Sequence, residues 1–187
     1  MYKKIYKPTI LMILVLILFC SSIFLYQQYQ VQKEISSYYL GKSIHDINDN
    51  AYLLTSKIKT DKLKYSNEEI KEIISYQDRI ITEYTNLFNV LFNVIEEDDP
   101  TILNPVEFYF YKSLNDNISI QGSSNAIVEL DKEDEEILNI LEDFAANILK
   151  AYQDGDYIYT EKTNLKKTRN FLQQISLYNK ALITSLE

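Results

Sequence analysis

The stretch from residue 66 to residue 94, SNEEIKEIISYQDRIITEYTNLFNVLFNV, decides the fold. Along this stretch, mostly apolar residues recur at spacings that alternate between four and three. This pattern predicts one long helix with a single stripe of residues facing the core. Ser66-Asn67-Glu68-Glu69 has the form of a capping box and predicts where this helix begins. The acidic run Glu96 to Asp99 before Pro100 predicts its end. The stripe consists of Ile73, Gln77, Ile80, Tyr84, Leu87, Leu91 and Val94.

Upstream of this helix, a second stripe predicts a first helix. It comprises Leu40, Ile44, Ile47, Ala51, Leu54 and Ile58. Between Gln27 and Gly41 the chain contains no helix breaker. We therefore expect the preceding apolar segment to continue as one helix into this part of the fold.

The apolar segment is Pro8 to Tyr26, PTILMILVLILFCSSIFLY, and it contains no charged residue. Nineteen helical residues span about 28 Å, close to the hydrocarbon thickness of a bilayer. Lys3, Lys4 and Lys7 precede the segment and the next basic residue is Lys33, so the positive-inside rule places the N-terminus in the cytoplasm. We expect a cytoplasmic tail at 1–7, a transmembrane anchor at 8–26, a stalk at 27–40 and an extracytoplasmic bundle at 41–187.

Two other interpretations of the apolar segment release the chain from a helical anchor. A cleaved secretory signal needs small residues after its apolar stretch, and Cys20-Ser21-Ser22 is followed by four more apolar residues. In a lipoprotein signal, Cys20 would be acylated after cleavage, but Phe19 stands where that pattern needs a small residue. The uncleaved anchor is the favoured prediction.

Downstream of Pro100, Asn104-Pro105-Val106-Glu107 is typical of a helix start. Residues 107–130 fit either a loop or a short hairpin between 117–120 and 126–130, and we favour the loop because an isolated two-stranded hairpin is marginal in water. Asp131 is the expected cap of a further helix whose first turn is acidic. Its predicted core stripe is Ile137, Leu141, Phe144, Ile148 and Tyr152.

Asp154-Gly155-Asp156 is expected to end that helix, with Gly155 in the left-handed conformation. A last helix is predicted with Leu165, Thr168, Leu172, Ile175, Leu182 and Leu186 inward. The chain has only three Gly and three Pro, which favours long helices over sheet. The sequence thus predicts a mainly all-α fold, in which a single transmembrane helix precedes an antiparallel bundle of about four helices.

Charge limits the possible partners. All 27 Asp and Glu but only 16 of the 19 Lys and Arg follow Tyr26, so that part carries a formal charge of −11. Such a surface repels phosphate backbones, and we expect no nucleic-acid partner. The only Cys lies in the apolar segment, so the rest of the chain has no disulfide. The richness in Ile, Lys, Asn and Tyr is typical of AT-rich bacterial genomes.

No motif predicts catalysis, a metal site or a cofactor, and we expect none of the three. His45 is the only histidine; Ser43 and Asp46 are near it in sequence but point elsewhere on a helix, so His45 is interpreted as an exposed helix residue. Glu96 to Asp99 lacks the alternation and Gly of a calcium loop, and 154–156 is better explained as a turn. The 16 Tyr include Tyr84, Tyr152 and Tyr178 on or beside core stripes, where rings pack and hydroxyls reach the surface.

Three hypotheses for function follow. The favoured one is a non-enzymatic, membrane-anchored helical module that binds another protein or has a structural role. The alternative is a ligand-sensing four-helix domain, similar in architecture only to periplasmic sensors of bacterial receptors, that acts through a membrane partner; the expected seven-residue tail is too short for an output domain. The third is a hydrolase, which would need converging carboxylates or a buried His45.

Overall fold

The computed structural model describes residues 6–58, 64–95, 101–105, 126–155, 157 and 163–186. These residues form four helices, α1 (Tyr6–Lys57), α2 (Asn67–Ile95), α3 (Lys132–Asp154) and α4 (Leu165–Leu186). Two three-residue strands, β1 (Lys64–Ser66) and β2 (Ile127–Glu129), complete the set of described elements. The predicted all-α bundle with an apolar N-terminal helix is confirmed.

Helix α1 runs unbroken for 52 residues through Gly41, as the lack of breakers predicted. Its two halves have different surroundings. From Met12 to Ser36 every residue is exposed. From Leu40 onward, the six predicted stripe positions are all buried, and they form the α1 face of the bundle core. The N-terminal half of α1 is therefore an apolar helix without packing partners, and its C-terminal half is a helix of the bundle core.

Helix α2 begins with the predicted capping box. The Glu69 amide donates to the Ser66 hydroxyl at 3.2 Å, and the Ser66 amide donates to the Glu69 carboxylate at 2.9 Å. The stripe from Ile73 to Leu91 is buried along its whole length, including the polar Gln77. The side chain of Val94 and the run 96–99 lie outside the described residues.

The expectation of a loop up to residue 130 is wrong at its C-terminal end. Residues Ile127–Glu129 form β2, which pairs antiparallel with β1 so that Tyr65 lies opposite Val128. The Asn67 amide extends this ribbon by donating to the Ala126 carbonyl at 3.0 Å. The partner strand is about 60 residues away in sequence, directly before α2, so the two strands do not form a local hairpin. Residues 106–125, including the proposed helix after Pro105 and the segment 117–120, lie outside the described residues.

The ribbon fixes the direction of the helices. Helices α2 and α3 both begin at it and run away from it, whereas α1 ends near it. Contacts of Lys57 with Glu72 and of Ser43 with Glu83 show that α1 and α2 are antiparallel. Tyr152 of α3 reaches back to His45 of α1, so that pair is antiparallel too. The α1/α2 and α1/α3 pairs are therefore antiparallel, as predicted, and the connection between α2 and α3 leads from the far end of α2 back to the ribbon.

Helix α3 starts with a second capping box, in which the Asp131 carboxylate accepts from the amides of Glu133 and Asp134, each at 2.9 Å. The prediction for Gly155 is wrong, because its φ is −82° and its conformation is right-handed. Glycine is required there for space. A Cβ on Gly155 would lie 1.8 Å from Cε2 of Tyr157, whose ring covers the end of the helix. Asp156 lies outside the described residues.

Helix α4 closes the core. Asn164 caps it by accepting the Lys167 amide proton at 2.9 Å. Thr168, Leu172 and Ile175 are fully buried, as predicted, while Leu165 and Leu182 are partly buried against the core. The sequence pattern missed three further buried side chains on this helix, Phe171, Ser176 and Asn179. The side chain of Leu186 lies outside the described residues.

Candidate functional site

The apolar half of α1 is a surface that the bundle leaves uncovered. It is the one helix among the described residues that is long and apolar enough to cross a membrane by length and composition. Its large side chains from Met12 to Tyr26 are between 43% and 70% exposed. The hydroxyls of Ser21 and Ser22 donate to the carbonyls of Ile17 and Leu18 at 2.8 Å, so both satisfy their donors within the helix. This arrangement suits a medium without water.

Two hydrogen bonds join α1 to the bundle at Ser37. The Thr163 amide donates to the Ser37 carbonyl at 3.2 Å, and the Ser37 hydroxyl donates to the Thr163 carbonyl. These two bonds join the exposed half of α1 to the segment that enters α4. The orientation of the apolar half is thereby tied to the bundle core at one defined level of the helix.

His45 is not the exposed residue that the sequence suggested. It is half-buried, its Nδ1 lies 2.8 Å from the Tyr152 hydroxyl, and the two rings meet edge to face with centroids 5.7 Å apart. Ser43 instead donates to Glu83 at 2.7 Å, and Asp46 binds Lys42, so neither is brought to the imidazole. The histidine joins α1 to α3 and forms no Ser-His-Asp arrangement with these neighbours.

Tyr152 is also part of an aromatic cluster at the ends of α3 and α4. Its ring lies 5.8 Å from that of Tyr157 and 6.4 Å from that of Phe171, and the latter two rings are 5.1 Å apart. The Tyr157 hydroxyl donates to the Lys167 carbonyl at 2.7 Å, and burial of the phenol raises its pKa to about 12. The three rings thus form an apolar cluster, and the hydroxyls of Tyr152 and Tyr157 at its edge are both hydrogen-bonded.

Buried polar contacts also hold Leu103, which lies in the short segment 101–105 after α2. Tyr84 is fully buried, and its hydroxyl donates to the Leu103 carbonyl at 2.8 Å. The Ser176 hydroxyl accepts the Leu103 amide proton, also at 2.8 Å, and donates to the Leu172 carbonyl at 2.6 Å. Two side chains from α2 and α4 thus hold both backbone groups of Leu103. The prediction that Tyr hydroxyls reach the surface is therefore wrong for Tyr84.

Tyr178, in contrast, does present its hydroxyl at the surface. That hydroxyl donates to the Asp154 carboxylate, and this bond holds the pKa of the phenol above its usual value. The Lys150 ammonium lies 4.4 Å from the centroid of the same ring. The three side chains link the exposed faces of α3 and α4.

A groove of about 480 Å³ separates α1 from α2 on the side of the bundle nearest the apolar half of α1. The hydrogen bond from Ser43 to Glu83 crosses it, and Lys42 stands at its edge in an ion pair with Asp46 that raises the pKa of the lysine. Glu83 is the one carboxylate among the residues that line it. The full lining is Ser36, Tyr39, Leu40, Lys42, Ser43, Glu83, Asn86, Leu87 and Val90.

Within the part of the chain that the structure describes, no group of three or more His, Cys, Asp and Glu side chains is placed to hold a metal ion. Cys20 lies alone and exposed on the apolar half of α1. The acidic run 96–99 lies outside the described residues. The described geometry therefore offers two surfaces with functional potential, the uncovered half of α1 and the α1/α2 groove.

Comparison with protein-family models, with curated proteins and with solved structures found no match to this chain.

Proposed function

We propose that this protein is a single-pass membrane protein, bacterial in origin, which displays a helical bundle on the outer face of the cell membrane as a non-enzymatic interaction or structural module. The apolar segment at 8–26 acts as an uncleaved signal anchor. The N-terminus lies in the cytoplasm, the bundle lies outside, and a protein is the expected partner of the bundle.

One observation carries this proposal: α1 is a single helix whose first half is apolar and uncovered while its second half is core. An exposed apolar rod of this length is unfavourable in water, because apolar surface is expelled from it. In a bilayer the same rod is solvated by acyl chains, and the internal bonding of Ser21 and Ser22 removes the main polar penalty. The lysines at 3, 4 and 7 support the proposed orientation.

Fractionation and protease access test the anchor and its direction together. The full chain, with one epitope at each terminus, is expected to stay in alkaline-washed membranes. Protease added to intact spheroplasts should remove the C-terminal epitope and spare the N-terminal one. Protection of the C-terminal epitope, or release of the chain by alkali, would contradict the proposal.

Cys20→Ser is the matched control for the lipoprotein alternative. If the uncleaved helix is the anchor, the wild-type chain isolated from the membrane gives an N-terminal peptide that contains Met1 in mass spectrometry, and Cys20→Ser changes neither that peptide nor the size of the chain. Acylation at Cys20 predicts a wild-type chain that begins at a lipid-modified Cys20 and an unprocessed Cys20→Ser chain that is longer by the cleaved segment. Proximity labelling from the C-terminus of the anchored chain then tests for a protein partner, and no reproducible neighbour in living cells would count against the interaction role.

A ligand-sensing role is the second candidate, and the α1/α2 groove is the observation that favours it. One wall of the groove belongs to α1, so a bound molecule would contact the helix that carries the apolar half. Its polar groups, Ser43, Glu83 and Asn86, suit a small polar ligand with an apolar side. A thermal-shift screen of small molecules is expected to give hits that Val90→Trp abolishes by filling the groove, and an empty screen would reject this role.

A further inference from the structure

An apolar stripe on α1 continues from the membrane segment into the stalk. It consists of Phe24, Val31, Ile35 and Tyr38, with Gln28 in the position between the first two. The steps 24, 28, 31, 35 and 38 alternate four and three, which is the spacing of a coiled-coil seam. All four apolar members are exposed, at 60%, 53%, 50% and 48%. We propose that this stripe, here called the stalk seam, is the contact surface for a second copy of the chain.

The seam faces away from the bundle. At about 100° per residue it lies on the side of α1 opposite to Leu40, Ile44 and Ile47, which are buried in the core. Two helices joined along the seam therefore carry their bundles on the outside of the pair. The seam ends where Lys42 and Asp46 form an ion pair on the helix surface, so close contact stops near Tyr38.

A second copy fits this seam because both chains are anchored at the same level. The inference rests on the proposed anchoring, which presents two α1 helices in parallel, with equal residues at equal height. A seam of identical residues is then self-complementary, as a two-fold interface requires. Gln28 faces its own counterpart, and a polar residue at one seam position favours a single register.

Charge also permits this pairing. The chain after Tyr26 carries a formal charge of −11, which opposes the approach of two bundles. Between Gln27 and Gly41, however, the charged residues are Lys33 and Glu34, adjacent and of opposite sign. The seam therefore lies in an electrically neutral part of the stalk, and charges on the bundles are screened over about 8 Å at physiological salt.

The area of the seam is that of a small interface. A large apolar or aromatic side chain covered at such a seam loses on the order of 100 Å² of exposed surface. Four such side chains from each of two copies reach about 800 Å², the size of a weak interface between proteins free in solution. Membrane anchoring aids association further, because it confines both copies to one orientation and raises their effective concentration.

Disulfide trapping of the full chain in its native membrane tests the pairing. Single cysteines in a Cys20→Ser background are introduced on the seam at Val31, Ile35 or Tyr38, and off the seam at Gln30 or Lys33 as controls. Copper-phenanthroline oxidation should convert the seam variants to a species of twice the 22.0 kDa chain mass, at least fivefold more than the controls. Equal yields at all five positions, or a seam adduct of any other mass, would overturn the proposal.

A charge in the seam provides the second arm. Ile35→Glu changes a side chain that is exposed in the single chain, so the bundle is expected to fold, while trapping at Val31→Cys should fall at least fivefold. Lys33→Glu should leave that yield unchanged. The membrane and soluble fractions of each sample are also compared. If the chain stays in the membrane but is not trapped, the pairing is rejected and the anchor stands. If the chain is lost from the membrane, both the anchor and the pairing are rejected.

Discussion

Replacement of Ser176 by Ala should destabilise the bundle by much more than the loss of a surface hydroxyl. Ser176 is 1% exposed, and its oxygen accepts the amide proton of Leu103. Alanine leaves that buried N–H without its acceptor, at a cost of about 1–3 kcal/mol in the free energy of unfolding. Tyr84→Phe removes the donor to the Leu103 carbonyl and should cost about 1–2 kcal/mol, because a carbonyl tolerates the loss better than an amide.

The two substitutions act on one backbone residue, so their effects should not add. Once either bond is lost, the segment around Leu103 can relax, and the second substitution then removes less. The double variant should therefore fall short of the summed single losses by about 0.5–1 kcal/mol. An additive cycle would refute the idea that α2 and α4 hold Leu103 as a unit.

Urea unfolding of the full chain in detergent measures these losses. The chain has 16 Tyr and no Trp, so near-ultraviolet circular dichroism reports on Tyr packing in the bundle. Ser56→Ala is the matched control, because Ser56 also lies in a helix and donates to a backbone carbonyl but is exposed. It should change stability by less than about 0.5 kcal/mol. A Ser176→Ala loss no larger than this control would refute the reasoning.

Three further outcomes are expected from the ends of α3 and the aromatic cluster. Gly155→Ala should cost about 2–3 kcal/mol, because its Cβ would displace the Tyr157 ring, and an unchanged near-ultraviolet spectrum would contradict this. Tyr157→Phe should gain stability relative to the wild-type chain as pH rises from 10 to 12. The folded-state pKa of Tyr157 is raised to about 12, whereas the phenol of the unfolded chain ionises near pH 10, so the wild-type chain loses stability over this range. That gain should reach about 2 kcal/mol, and a difference in unfolding free energy that is constant with pH would count against it. Asp131→Ala should cost about 1 kcal/mol through loss of the cap, whereas Lys132→Ala at the next position should be nearly neutral in the same urea titration.

The sequence predicted those parts of the fold that depend on local chemistry. The capping box at Ser66 and the cap at Asp131 involve residues two or three apart, and the stripes of α1, α2 and α3 follow from helical period alone. Both signals are contained within one element. They needed no knowledge of what the element would pack against. The structure buries the α1 stripe, the α2 stripe from Ile73 to Leu91 and the α3 stripe from Ile137 to Ile148, while Tyr152 is half-buried.

The contacts that join distant segments could not be predicted in this way. The partner of β2, the bond between His45 and Tyr152, and the contacts of Leu103 each link residues far apart in sequence. No periodic pattern marks such pairs. Gly155 was misjudged because steric conflict with Tyr157, and no unusual backbone angle, explains the need for glycine there. Of the two candidate surfaces, the sequence predicts only one. The apolar half of α1 is evident from composition, but the α1/α2 groove depends on how the helices pack.

The unbroken course of α1 also sets geometry between two environments. Each residue of a helix advances it by about 1.5 Å and turns it by about 100°. For a chain anchored as proposed, the number of residues between Tyr26 and Ser37 therefore sets two quantities. One is the height of the bundle above the bilayer, and the other is the direction, around the α1 axis, in which the α1/α2 groove opens. One residue inserted there would barely change the height yet would point the groove to a different neighbour.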